Sequence, residues 1–243
     1  MHSKKCIDLH IHSRASDGNL SLSELIEKAN MHNLCAIAIT DHDTFKGVKK
    51  CLQKSEAYGL EVIAGIEVSA VYRNAIIHIL VYEFDLDGVF AQKIEALEKK
   101  NLRNYIDYKK GNKFVYIREY IDAHSLLKLV RLEGGTAILA HPKRVSKNLK
   151  KLEETVGDLT KKGLCGIESF HAENRLFDQF FLRFLAWKYN LLSTGGSDFH
   201  KEGDKFGKIR WNRKISYQYL LKLKDKSREY KNEIDQRDKI WGK

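Results

Sequence analysis

The stretch Leu34-Cys35-Ala36-Ile37-Ala38-Ile39-Thr40-Asp41-His42-Asp43 decides the architecture. Its first seven residues form a nearly unbroken apolar run of strand length, the pattern of a strand covered on both faces, as in a parallel sheet. Its last three place an imidazole between two carboxylates where that strand should end. The same arrangement recurs on both sides of it. Upstream, Lys5–His10 reads as a strand carrying Asp8 and His10, with His12 next and Asp17 in the following loop. Downstream, a strand starts at Glu61–Ala64, and Glu67–Arg73 and Ala75–Phe84 pair as a hairpin about Asn74.

Helices separate these strands. Ser21 with Glu24 three residues on forms a capping box, which predicts a helix to about Asn33. A second helix is expected over Thr44–Tyr58, ended by Gly59. Residues 87–133 are helical in pattern and charged, broken at 109–113, with a strand only at Phe114–Ile117. The alternation then resumes: strand Thr136–Ala140, helix Leu149–Lys162, strand Leu164–Phe170, helix Asn174–Tyr189, strand Leu191–Thr194. From Tyr217 a long polar helix is expected to pack through Leu220, Leu221 and Leu223.

Strands alternating with helices imply parallel βαβ units. With about seven strands and no Gly-x-Gly-x-x-Gly after the first, a barrel fits better than a dinucleotide-binding sheet. The boundaries expected are a barrel in two parts, 1–86 and 134–216, a short helical insertion or cap at 87–133, and a basic C-terminal helix at 217–243.

The composition excludes other classes. The chain has 243 residues, 43% hydrophobic, enough for one large core and too apolar for a disordered chain. No stretch approaches the ~20 apolar residues of a membrane span, and no signal-peptide core opens the sequence. Four scattered cysteines without a Cys-x-x-Cys pair suggest reduced thiols and a cytoplasmic protein. The net charge of +11 is uneven. Residues 90–120, 143–162 and 201–243 each hold about twice as many basic as acidic residues, while the remainder is mildly acidic. Such flanks suit a polyanion such as nucleic acid, or are solvated helix faces.

Of the ten histidines, seven fall at or just past strand ends: His10, His12, His42, His78, His141, His171 and His200. Carboxylates accompany them at Asp17, Glu67, Glu168 and Asp198. Functional side chains in a parallel barrel belong at those ends. His-x-His on a strand directs both imidazoles to one face. Imidazole and carboxylate without thiolate suit Zn, Mn or Fe, and about nine donors suffice for two or three ions. A multinuclear site suits phosphoester hydrolysis. A serine nucleophile fits less well, because no Gly-x-Ser-x-Gly elbow is present, and a Walker phosphate loop is absent.

Asp8-Leu9-His10-Ile11-His12-Ser13, Ser16-Asp17-Gly18, Thr40-Asp41-His42-Asp43-Thr44, Gly65-Ile66-Glu67-Val68-Ser69, Ala140-His141-Pro142 and Gly196-Ser197-Asp198-Phe199-His200 resemble, in order, the motifs of the PHP (polymerase and histidinol phosphatase) family. The resemblance is nearest to the group acting on nucleoside 3′,5′-bisphosphates and on the 5′ ends of short RNA or DNA. It implies a distorted (β/α)7 TIM-like barrel, two or three divalent ions (Mn, Fe or Zn) and a metal-bound hydroxide as nucleophile. It also implies ligand sets: His10, His12, Glu67 and Asp198 for one ion; Glu67 as a bridge with His78 and His141 for a second; Asp17, His42 and His200 for a third. Asp8, Asp41 and Asp43 are expected to orient imidazoles from behind. Arg144 and Arg14 are expected to contact phosphate, unless Arg144 only opens a solvated basic helix; His171 is expected to contact substrate, to protonate the leaving oxygen, or to hold a purely structural place. Relatives carry a larger insertion, and the shorter one here is expected to leave the site open to longer substrates.

The function expected is thus a metal-dependent phosphoesterase of nucleotides or nucleic-acid ends. Its alternatives are a histidinol-phosphate-type phosphatase, which gives no reason for the basic flanks, and a non-catalytic module binding nucleic acid or protein. The C-terminal helix is the expected protein-partner surface.

Overall fold

A computed structural model describes residues 5–55, 59–109 and 118–241. The strand expected at 114–117, and the last residues of the helix expected to 58, lie outside the described residues. The elements run β1 (Cys6–Ile11), α1 (Leu22–Met31), β2 (Ala36–Ile39), α2 (Lys46–Ser55), β3 (Glu61–Tyr72), β4 (Ala75–Tyr82), α3 (Val89–Lys109), β5 (Ile121–Asp122), α4 (Ala123–Leu132), β6 (Thr136–Leu139), α5 (Pro142–Val145), α6 (Leu149–Lys161), β7 (Gly166–His171), α7 (Leu176–Lys188), β8 (Leu192–Gly196), β9 (Ile215–Ser216) and α8 (Gln218–Trp241).

The strand order is β8-β7-β6-β4-β3-β2-β1-β9, with β5 beside β3. Pairings are parallel except around β4, which runs antiparallel to both β3 and β6, and at β9, which runs antiparallel to β1. The sheet nearly closes into a distorted barrel. Past β8, the Asp198 amide donates to the His10 carbonyl and the His12 amide to the Phe199 carbonyl, each at 2.9 Å. Gly196 makes that approach possible, because a Cβ there would lie 2.2 Å from the Cβ of His10.

Two expectations are corrected. Glu61–Ala64 and Glu67–Arg73 are not separate strands: β3 is continuous over Glu61–Tyr72, since Gly65 and Ile66 stay in register opposite Tyr82 and Val81. A short strand the pattern did not reveal, β5, forms where Ile121 and Asp122 pair with Ala70 and Val71. The stretch 87–133 also divides. Ala123, Leu126, Leu127 and Val130 of α4 are buried in the barrel wall, whereas α3, among its described residues, joins that core only through Phe90, Ala91 and Ile94 in its first turns and is tied further on to the segment before β5 by paired hydrogen bonds between Asn101 and Glu119.

Ile7, Leu9, Ala36, Ala38, Ile63, Leu80, Tyr82, Ile138 and Ala140 fill the barrel interior, and the larger core lies between sheet and helices. The pairing register of β1 shifts between Asp8 and Ile11. Beyond that bulge Ile11 packs in the outer core, although Ile7 and Leu9 pack inside. The bulge thereby re-aims His10 and His12 into the mouth. β7 shifts likewise between Glu168 and Phe170.

Helix α8 closes the opposite, amino-terminal end of the barrel. Leu220, Leu223 and Tyr230 join the interior cluster. Tyr217 and Lys224 pair with Glu61 at the start of β3, and Ser227 donates to the Gly134 carbonyl ahead of β6. The basic tail therefore does not flank the strand-end histidines, because its apolar stripe is used to plug the far end. Leu221, expected to pack, is 42% exposed. No helix among the described residues is long and apolar enough to cross a membrane.

Candidate metal centre

The strand ends converge on Glu67. Its Oε2 faces His10 Nε2 at 3.0 Å, His12 Nε2 at 3.1 Å and His42 Nε2 at 3.5 Å. Its Oε1 faces His78 Nδ1 at 3.0 Å and His141 Nε2 at 2.8 Å. Five imidazoles thus meet one fully buried carboxylate, one set on each oxygen. Asp198 is divided in the same way. Its Oδ1 faces His10 at 3.3 Å and His12 at 3.2 Å, while Oδ2 is held by His171 at 3.3 Å and Arg144 Nη1 at 2.8 Å. On the open side Asp17 approaches His12 at 3.4 Å, His42 at 3.8 Å and His200 at 3.4 Å.

Three groups of donors lie within 4.8 Å of one another: His10, His12, Glu67 and Asp198; His12, Asp17, His42 and His200; and His42, Glu67 and His78. The fit to divalent ions rests on the donors themselves. Nδ1 of His141 is buried without a hydrogen-bond partner, and both ring nitrogens of His12 are buried against carboxylate oxygens at 3.1, 3.2 and 3.4 Å without an aligned hydrogen bond, a costly state unless something else satisfies them. Tautomers point the same way. His10 Nδ1 meets Glu168 Oε1 at 2.9 Å, so a proton there leaves Nε2 as a lone pair toward Glu67. His200 Nδ1 donates to the Asp198 carbonyl at 2.9 Å, which leaves its Nε2 facing Asp17. His171 is the opposite case. Its Nδ1 accepts the Glu173 amide, so Nε2 carries the proton and donates to Asp198.

Charge is concentrated accordingly. Burial opposes ionisation of Glu67, yet His10 and the neighbouring imidazoles hold its pKa well below the usual carboxylate range. Burial likewise opposes charge on His12, and Asp198 and Glu67 carry its pKa up to about 9. At His42 burial dominates and lowers the pKa to about 4. The backbone is also constrained: Asp43, His141 and Asp198 have φ of 52°, 26° and 56°, conformations that non-glycine residues hold only under surrounding restraint.

Asp8, Asp41 and Asp43 do not orient imidazoles. Asp8 accepts the amides of His10, Ser197 and Gly207. Asp41 accepts the amide and hydroxyl of Ser13 and the hydroxyl of Ser16. Asp43 accepts the Ser69 amide and pairs with Arg118 at 2.5 Å. Each accepts at least one backbone amide, and a buried amide's need for an acceptor decides its orientation. The orienting carboxylate is instead Glu168, which holds His10 through one oxygen and the His141 amide through the other at 2.7 Å. Its alternation with apolar Ile167 was the available signal. Arg14 also differs from expectation: it turns to the Asn19 carbonyl and Glu24, away from the cluster. Arg144 is at the mouth, bidentate on Glu173 and joined to Asp198.

The cluster opens on two clefts. One, of about 440 Å³, is lined by Asp17, His42 and His78 with Arg118 and Tyr120 from the segment after α3. The other, of about 500 Å³, is lined by His171, Asp198 and His200 with Arg144 and Lys201. Arg118 had no legible signal in the sequence, since it belongs to no motif and its partner Asp43 is 75 residues away.

A nearly closed barrel with imidazoles and carboxylates gathered at its carboxyl end is the architecture of a metal-dependent hydrolase. The chain belongs to the PHP domain family, whose model matches residues 8–168. It is 28% identical to a phosphoribosyl 1,2-cyclic phosphate 1,2-diphosphodiesterase of Eggerthella lenta, over 83% of this chain and 95% of that protein. It is 26% identical to a 5′-3′ exoribonuclease of Haemophilus influenzae (81% and 90%) and 23% identical to a 3′,5′-nucleoside bisphosphate phosphatase of Chromobacterium violaceum (82% and 88%). Its fold matches that of a protein described as a metal-dependent phosphoesterase from Bifidobacterium adolescentis, with a TM-score of 0.76 and 21% identity over 91% of this chain and 96% of that one. These relatives are hydrolases of phosphoric esters.

Proposed function

We propose that the chain is a multinuclear metal-dependent phosphoesterase hydrolysing phosphate esters of nucleotides, either nucleoside 3′,5′-bisphosphates or the 5′ ends of short RNA or DNA. The observation that carries this reading is Glu67, one buried carboxylate presenting each oxygen to a separate set of imidazoles. Two or three ions, Mn, Fe or Zn, would be held by His10, His12, Glu67 and Asp198; by Glu67, His78 and His141; and by Asp17, His42 and His200. Divalent ions there supply Lewis acidity toward phosphoryl oxygen and make water acidic enough to attack at neutral pH.

The chain's own residues do the rest. Glu168 and the Asp198 carbonyl fix the protons of His10 and His200 on the nitrogens that face away from the cluster. His171 and Arg144 hold one oxygen of Asp198 so that the other stays turned to His10 and His12. Arg144 and Arg118 face the two clefts, where a guanidinium can take phosphoryl oxygens bidentately. The segment 87–120, which brings in Arg118 and Tyr120, is the part that selects among substrates. His171, with both nitrogens engaged, positions Asp198 rather than acting on the leaving group.

The test is a metal-replete comparison of a nucleoside 3′,5′-bisphosphate, a 5′-phosphorylated oligoribonucleotide, a 1,2-cyclic phosphoribose and histidinol phosphate. Turnover of either of the first two, lost on chelation, is the expected result. Turnover of only the cyclic phosphate or histidinol phosphate moves the substrate outside nucleotides.

A further inference from the structure

Helix α7 is apolar on two opposite faces. Its inner face, Gln179, Leu182, Leu185 and Ala186, is buried against the barrel. Its outer face carries Phe177, Phe180, Phe184 and Trp187, exposed at 65%, 63%, 47% and 78%. At 100° per residue these four fall within an arc of about 80°, centred opposite the buried side. A helix apolar all round belongs inside a structure rather than on its surface. The neighbouring α6 shows the ordinary condition, with Lys150, Lys151, Glu154 and Lys161 exposed outward. On α7 the nearest charge to the middle of the stripe, Arg183, is drawn back over the Phe170 ring at 6.0 Å.

We propose that this stripe is the contact between two copies of the chain, packed as an antiparallel pair of α7 helices about a two-fold axis near Leu182. The spacing 177, 180, 184, 187 reads the same in both directions. In an antiparallel pair Phe177 therefore meets the partner's Trp187, and Phe180 meets the partner's Phe184. This self-complementarity is what a closed two-fold interface requires. At about 200 Å² for a whole aromatic residue, the four exposures leave roughly 500 Å² per copy. Two copies, with Leu176 and the flanking turns added, reach the ~1,200 Å² at which specific interfaces begin. A patch of roughly 500 Å² lies in the upper half of the ~300–600 Å² that the largest apolar patch of a monomer covers, and patches of that size are often functional contacts. The inference is independent of which phosphoester the site cleaves.

Sedimentation or light scattering on the full chain, 28.1 kDa as a monomer, tests it. Twice that mass at micromolar concentration is expected, with Phe180→Glu and Phe184→Lys each monomeric and folded. Mixed in equal amounts, those two variants should pair again, since the new Glu faces the new Lys and the other two phenylalanines still meet. A wild type that stays monomeric overturns the proposal, including one whose stripe instead binds single-stranded RNA or anionic vesicles. So does a dimer that survives both substitutions. Unrestored mixing of two folded monomeric variants overturns the antiparallel register.

Discussion

The buried centre of the site and its rim are built differently from the same residue types. His10, His12, Glu67 and Asp198 are buried at the barrel's closure, and hydrogen bonds or ion pairs fix two of them, His10 and Asp198, from behind. Asp17, His42 and His200 stand on loops, and the Asp17 side chain is 54% exposed. In the centre, packing sets the geometry before any ion arrives, so an ion there completes a preformed cage. At the rim the donors also lie within 4.8 Å of one another, but loops carry them and Asp17 is open to water, so solvent would compete for an ion there. On the proposed reading the difference would separate tight from exchangeable metal, and it orders the expected consequences of mutation.

Glu67→Gln should have the largest effect, because both of its oxygens are in use. A loss of activity of about 10³-fold or more is expected, with at least one ion missing in elemental analysis of the purified protein. Near-normal turnover would remove Glu67 from the centre of the account. Asp8→Ala comes next and acts on the fold. It leaves the His10, Ser197 and Gly207 amides without their acceptor at the closure between β1 and β8. A loss of about 3 kcal/mol is expected, read as a lower midpoint in urea. Glu168→Gln should weaken metal affinity by about 10–100-fold, as when a group orienting a ligand is removed, with an unchanged unfolding midpoint.

Asp17→Asn breaks the comparison if the rim is as rigid as the centre. A fall of about 10-fold in turnover, recovered by excess metal, is expected of an exposed ligand. Loss that no metal concentration restores would place Asp17 with the buried set. Arg14→Ala should be smallest, within about 0.5 kcal/mol in stability and without effect on turnover, since Arg14 faces Asn19 and Glu24.

The same contrast explains what the sequence could convey. Apolar runs such as Ala36–Ile39, ended by polar residues, gave away both the strands and the carboxyl end of the barrel, because burial on two faces leaves a plain signature. The capping box at Ser21 and Glu24 forms as expected, since it is local to one turn. Partners chosen across the barrel were not legible. Asp8, Asp41 and Asp43 sit beside histidines in sequence, yet they satisfy backbone amides, among them those of Ser13, Ser69 and Ser197. Glu168 serves His10 from 158 residues away. Arg118 meets Asp43 from 75 residues away and belongs to no motif, so no periodicity encodes its place. The role of α8 as a plug was hidden for a similar reason: its charges outnumber the few apolar residues that do the packing.

The most direct measurement is the rate of phosphate release from a nucleoside 3′,5′-bisphosphate by metal-stripped protein titrated with Mn, Fe or Zn. No release is expected without metal, and with it a rate that rises in two phases, the centre filling at low concentration and the rim at higher, with neither phase in Glu67→Gln. Release that persists in the stripped protein, or that Glu67→Gln retains, would contradict the proposed function.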